Sequence, residues 1–274
     1  MKKLPIGISD FKKLREENFI YVDKTEYIYK LVKEGGGYYF LSRPRRFGKS
    51  LLISTLEYLF KGERKLFNGL YIEDKWEWEK SFPVIRIDFS KDIRSKEDLR
   101  EKVYRELRRN YIWNKEKMPR EIRDESILLE ELIMRVSERE KKQVVVLVDE
   151  YDKPILDVIE NIKEAQEVRK EVKAFYSVLK GLDRYIYSYN IGITYLVINF
   201  VLITGVSKFS KVSLFSGLNQ LKDISLNERY GNICGYTQEE LEIYFKEYLE
   251  GVNLEEVKEW YKGMSMYIRQ QYMD

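Results

Sequence analysis

Residues 144–148 read Val-Val-Val-Leu-Val and run directly into Asp149 and Glu150. A strand with apolar side chains on both sides of its pleat must be covered on both faces, as strands of a parallel sheet are. Parallel neighbours cannot be joined by tight hairpins; they need crossovers, usually helices. The remainder of the chain supplies both parts. β-type runs stand at 38–41 (YYFL), 84–89 (VIRIDF) and 200–205 (FVLITG). Helical patterns fall between them. One covers 25–36, with Tyr27, Ile28 and Leu31 on one face and glycines at 35–37 to stop it. Another follows 50, with Leu51, Leu52, Thr55, Leu56 and Leu59 in register up to Gly62. Further helices are expected at roughly 94–109 and 124–140, and a long charged one near 157–180.

This alternation predicts an α/β fold, a three-layer α/β/α sandwich around a mostly parallel central sheet. A short C-terminal helical extension follows, where Thr237 and Glu240 form a capping box ahead of Leu241, Tyr244, Phe245 and Tyr248. The organisation reads as a lead segment over 1–36 packed on a core over 37–226. A helical region begins at 227, and the last eleven residues, MSMYIRQQYMD, lack a period.

Composition narrows the chemistry. With no histidine, the chain cannot use a His general base, a Ser-His-Asp triad or His-ligated zinc. Its one cysteine, Cys234, makes no internal disulfide and reads as a passive small residue in a reducing, cytoplasmic setting. The 49 basic and 46 acidic side chains nearly cancel, so net charge does not support nucleic acid as a partner. The most apolar stretch, 191–206, is shorter than the ~18–20 residues of a membrane span and is read as buried strand material, so no membrane partner is expected.

Between the first strand and its helix lies SRPRRFGKS, 42–50. Its end matches a phosphate-binding loop, G-x-x-x-x-G-K-[ST], but Arg43 stands where the first glycine belongs. The context fits, because strand-loop-helix places backbone N–H groups at a helix N-terminus, where the dipole favours an anion. Arg45, Arg46, Phe47, Gly48, Lys49, Ser50 and Leu51 are the expected nucleotide contacts, with Lys49 on the β- and γ-phosphates. The strand ending in Asp149-Glu150 completes the site. Ser50 and Asp149 are the expected Mg²⁺ ligands, and Glu150 the residue that polarises the attacking water. Thr204, at the end of the 200–205 strand, either senses the γ-phosphate or holds water, or merely caps its strand; Ser207 is the weaker alternative. Arg46 is the expected phosphate contact, with a role in transition-state charge. Salt bridges to the acids at 149–152, or another ligand, are alternative uses for Arg43, Arg45 and Arg46.

Taken in order, LPIGISDFKKL, YVDKTEYI, YYFLSRPRRFGKSLLISTL, VIRIDFS, VVVLVDEYDKPI and LITGVSKFSKVSLFSGLNQLKDISL resemble the predicted AAA-ATPase-like family of bacteria and archaea, over about 4–260. The resemblance makes Arg43 a family trait and implies a P-loop NTPase core with an additional catalytic glutamate strand, ATP as ligand and Mg²⁺ as cofactor. It implies Mg²⁺-dependent hydrolysis with a conformational or partner output, through a homo-oligomer or partner protein. It places adenine and ribose near Tyr21, Asp23, Lys24 and Thr25. A non-catalytic nucleotide switch, or a nucleic-acid-associated defence or mobile-element component, are the alternatives. Relatives often continue into a PD-(D/E)xK nuclease-like domain, which this chain, ending at Asp274, is expected to lack. They also lack its aromatic stretch at 185–199.

Overall fold

The computed structural model describes residues 1–33, 36–182, 186–188, 194–207, 218, 220–253 and 256. The β-type runs form one five-stranded sheet, all of whose pairings are parallel. Its strands are β1 (Gly37–Ser42), β2 (Val84–Asp88), β3 (Val144–Asp149), β4 (Ile198–Gly205) and β5 (Leu221–Asp223). They lie in the order β2-β3-β4-β1-β5. β4 is therefore inserted between the strand that leads into SRPRRFGKS and the strand that ends in Asp149.

Alternate residues of each strand serve opposite faces, as a period of two requires. Phe40, Ile85, Ile87, Val144, Val146, Val148, Val201 and Ile203 pack into one core, with helices α4 (Lys96–Trp113), α5 (Glu125–Glu140) and α7 (Ile162–Leu182). Tyr39, Leu41, Val145, Leu147, Phe200 and Leu202 pack into a second core, with α1 (Phe11–Glu16), α2 (Thr25–Lys33) and α3 (Lys49–Phe60). Every residue of β3 is buried, the outcome its uninterrupted apolar run demands. The three-layer α/β/α architecture follows directly.

Local signals set the boundaries. Asp124 caps α5 through its carboxylate, which accepts from the amides of Ser126 and Ile127, and Ser95 caps α4 through Asp98 N–H. The helix expected near 157–180 is α7, which starts later, at Ile162, and a short α6 (Lys153–Leu156) precedes it. Pro154 sits at the start of α6, and the chain leaves the helix before Asn161 accepts from Ala165 N–H to begin α7. The stretch expected to be buried strand material from 191 does not all join the sheet. Ile186–Ser188 and Thr194–Leu196 form a separate antiparallel ladder, and Leu196 is exposed. Residues 191–193, the glycine at 35, the 208–217 segment and the final 257–274 lie outside the described residues.

The lead segment and the C-terminal segment meet. The capping box at Thr237 starts α8 (Gln238–Tyr244), and Phe245 just beyond it packs on Ile20 and Val22. Tyr248 donates its hydroxyl to the Lys2 carbonyl at 2.7 Å. The helix expected through Tyr248 instead ends at Tyr244, with a 3-10 turn over Lys246–Tyr248.

Candidate functional site

β1 ends at Ser42, and the loop returns as α3 at Lys49. Two residues make that reversal in left-handed backbone conformations, Arg46 at φ 61° and Gly48 at φ 94°. Glycine adopts this region without steric cost, which accounts for Gly48 at the N-cap. Having no side chain, it also leaves the first turn of α3 without a side-chain cap, so those N–H groups keep their donor capacity.

Lys49 is buried, and its ammonium donates to the carbonyls of Arg43 and Pro44, each at 2.9 Å. Burial pulls this amine below the ordinary lysine value, while Asp149 most strongly, then Cys234, Glu150 and Asp152, draw it back up. Lys49 and the acidic end of β3 thus share one electrostatic environment across β4. Ser50, half-buried, is the second residue of α3; Leu51 and Phe47 pack against the second core. Arg45 and Arg46 are exposed at the loop's tip. Neither forms a salt bridge with 149–152 among the described residues.

Arg43 has a different place. Its guanidinium is buried and donates to the carbonyls of Ser42 and Ser225 at 2.9 and 2.6 Å, and of Tyr230 and Gly231 at 3.2 and 3.4 Å. A planar fork with five donors suits such a cluster of carbonyls. The residue that breaks the glycine pattern therefore fastens the loop to the segment after β5. Two further contacts do the same: Gly235 N–H donates to Phe47 O at 3.0 Å, and Ser42 N–H to Ser225 Oγ at 2.9 Å. Gly235 has φ 76°, and a Cβ there would lie 2.5 Å from the Phe47 ring. Cys234, beside it, is buried, which pushes its thiol up to about 11. That keeps it protonated and agrees with a passive residue.

At the acidic edge, Asp149 is buried and its Oδ1 accepts from Thr204 Oγ1 at 2.7 Å. Thr204 is itself fully buried, and its hydroxyl lies between Asp149 Oδ1 and, at 3.3 Å, the Val148 carbonyl. Glu150, half-buried, has its carboxyl raised above the usual value by burial first and by Asp149 second, with Lys49 opposing. Ser207 donates through both N–H and Oγ to Asp152, each at 2.6 Å. Asp88 ends β2 directly beside Asp149 in the ladder. Asp88, an acid at a strand end, carries no role in the sequence pattern, and Asp152, three residues past the end of β3 in the DEYD run, enters it only among the acids at 149–152.

Tyr21, Asp23, Lys24 and Thr25 are taken up by internal contacts. Tyr21 packs edge-on against Phe11, and Asp23 accepts from Thr25 and from Tyr71 N–H. Thr25 Oγ1 accepts from Ile72 N–H, and Lys24 pairs with Glu240 at 2.5 Å.

A five-stranded parallel sheet between helical layers, with a lysine-bearing loop leading into a helix, defines a P-loop NTPase-like α/β fold. The model of the predicted AAA-ATPase (AAA-ATPase-like) family matches residues 5–215, and the chain belongs to that family. It is also 43% identical over 264 residues to an uncharacterized protein encoded in the vnfD 5' region of Azotobacter chroococcum mcd 1. That match covers 96% of this chain and 48% of the relative, so the chain spans about half the relative's length. Family membership supports nucleotide binding at a general level. No helix among the described residues is long and apolar enough to cross a membrane.

Proposed function

We propose that the chain binds ATP with Mg²⁺ at the N-terminus of α3 and hydrolyses it, with the core at 37–226 driving a conformational or partner output. The observation that best supports this reading is that Lys49, at the start of the helix after β1, and Asp149 and Glu150, at the end of β3, stand at the ends of the two strands that flank β4 and act on one another electrostatically. The first-turn N–H groups of α3 and the Lys49 ammonium bind the phosphates. Arg45 and Arg46, exposed at the loop tip, meet the terminal phosphate, where the charge of the transition state develops.

The donor set suits Mg²⁺. Thr204 occupies one Asp149 oxygen and leaves the other for the metal or its water, with Ser50 Oγ as second ligand. No group of three or more acids among the described residues is arranged to hold a metal unaided. Mg²⁺ characteristically uses one or two protein ligands and completes its shell with water and phosphate oxygens. When bound, it neutralises charge on the β- and γ-phosphates. Glu150 orients the attacking water and accepts its proton; the γ-phosphorus gains the water oxygen, its bond to the bridging oxygen breaks, and ADP and phosphate leave. A carboxyl raised by burial and by Asp149 is a better proton acceptor than an ordinary glutamate.

Lys49→Ala and Glu150→Gln test this reading. Lys49→Ala is expected to weaken ATP binding by about a hundredfold in calorimetry, since two or more charge-assisted hydrogen bonds are lost. Glu150→Gln is expected to retain ATP affinity while phosphate release stops. Unchanged affinity in Lys49→Ala would refute the site. A second reading, a nucleotide-dependent switch without turnover, is favoured by the fastening of the loop to 225–235. It predicts that ATP raises the melting temperature while phosphate release stays at background.

A further inference from the structure

Glu150 has φ 54°. A residue other than glycine or asparagine occupies this left-handed region only where its surroundings over-determine it. Here the surroundings are its immediate neighbours in sequence, and each is tied to the end of β4. On one side Asp149 accepts from Thr204 Oγ1. On the other, Tyr151 N–H donates to Thr204 O at 2.9 Å. Asp152 follows, fully buried, with one carboxylate oxygen accepting three hydrogen bonds: Val206 N–H at 2.9 Å, and Ser207 N–H and Oγ at 2.6 Å each.

Its other oxygen is buried and has no hydrogen-bond partner among the described residues. That oxygen is pressed against Gly205, where a Cβ would lie 2.7 Å from it and 2.4 Å from the Tyr151 ring. A buried carboxylate with an idle oxygen is a poor device for stability alone, because a well-packed apolar residue would serve as well or better. Glycine at 205 is the complementary concession on β4. It lets the two turns close onto each other.

From this arrangement we infer that Asp152 is a positioning residue for the proposed hydrolysis: by tying the chain after β3 to the turn after β4, it holds Glu150 in its left-handed conformation at the sheet edge. The inference rests on the reading of Glu150 as the residue that orients water. Asp152 touches neither nucleotide nor water in this scheme; it acts through the backbone of Glu150.

Asp152→Asn and Asp152→Ala separate positioning from bulk folding. The asparagine carbonyl can accept the same three donors, so Glu150 is expected to stay left-handed in a crystal structure, with MgATP turnover within about threefold of wild type. In Asp152→Ala the tie is gone. Glu150 is expected outside the left-handed region, and turnover is expected to fall about tenfold or more while ATP affinity changes by less than about twofold. Ser207→Ala removes one of the three donors and should lower turnover by about two- to threefold; it carries the test if Asp152→Ala does not fold. A Glu150 that stays left-handed in Asp152→Ala overturns the inference. So does a parallel loss of affinity and turnover, or wild-type turnover in Ser207→Ala. Failure of the ATPase reading looks different, since it appears as unchanged ATP affinity in Lys49→Ala. The conformation of Glu150 decides the inference without any turnover being measured.

Discussion

The loop after β1 and the acidic edge after β3 flank β4, and they are held in different ways. At the acidic edge the main ties run to the end of β4 and the turn just after it: Thr204 to Asp149, Tyr151 to Thr204, and Val206 and Ser207 to Asp152. The loop has two strained or permissive residues, exposed arginines and no cap, and its main ties come from residues 225–235. The acidic half is held at the end of β4; the loop is tied there too, through Ser42 and Arg43 N–H, but depends in addition on a segment beyond the sheet.

If that contrast is right, Arg43→Ala has the largest effect on stability. It leaves up to four carbonyls without their donor and is expected to cost about 2–4 kcal/mol in denaturant melts, with Arg43→Lys recovering only part, since an ammonium lacks the planar fork. An unaltered midpoint would show that the loop stands by itself. Gly235→Ala comes next. A methyl 2.5 Å from the Phe47 ring, on a left-handed backbone, should cost about 1–3 kcal/mol and lower ATP affinity although residue 235 meets no phosphate in the proposed site. Thr204→Val tests the other half. It keeps the shape, removes the hydroxyl from Asp149 and should cost about 1 kcal/mol while shifting the Mg²⁺ dependence of nucleotide binding.

The smallest effect concerns Glu150. Its folded carboxyl is raised above the unfolded value, so the native state prefers it protonated and the charged form is a penalty. That penalty is fully present above the folded value and disappears below the ordinary glutamate value of 4.5. Glu150→Gln should therefore melt slightly higher than wild type at neutral pH, and the two curves should meet as the pH falls through that window. A gap that persisted in acid would point to some other cause.

The fold was legible where the chain's own period dictates the answer. The uninterrupted run of β3 demanded cover on both faces, and the heptad-like rows of α3 and α5 found it. β5 was not legible, because three residues, Leu221–Asp223, carry too little pattern to separate a strand from a loop; only pairing with β1 makes them one. The break between α6 and α7 was hidden for a similar reason, charged residues continuing on both sides of it. Of the candidate site, Gly48, Lys49, Ser50 and the Asp149–Glu150 pair were visible because their neighbours in sequence are their neighbours in function. Arg43 was visible as an anomaly but not as a clamp, since its acceptors other than Ser42 lie 182 to 188 positions away. Asp152 escaped notice because its meaning depends on Val206 and Ser207, which only the β3–β4 pairing brings alongside.

That same separation sets an order on synthesis. A ribosome adds roughly 5–20 residues per second, so Arg43 waits on the order of ten to forty seconds before the carbonyls of Ser225, Tyr230 and Gly231 exist. Through that interval β2 and β3 can already pair, while the guanidinium has no acceptor from 225–231 to meet. The loop is thus made well before the segment that finishes it.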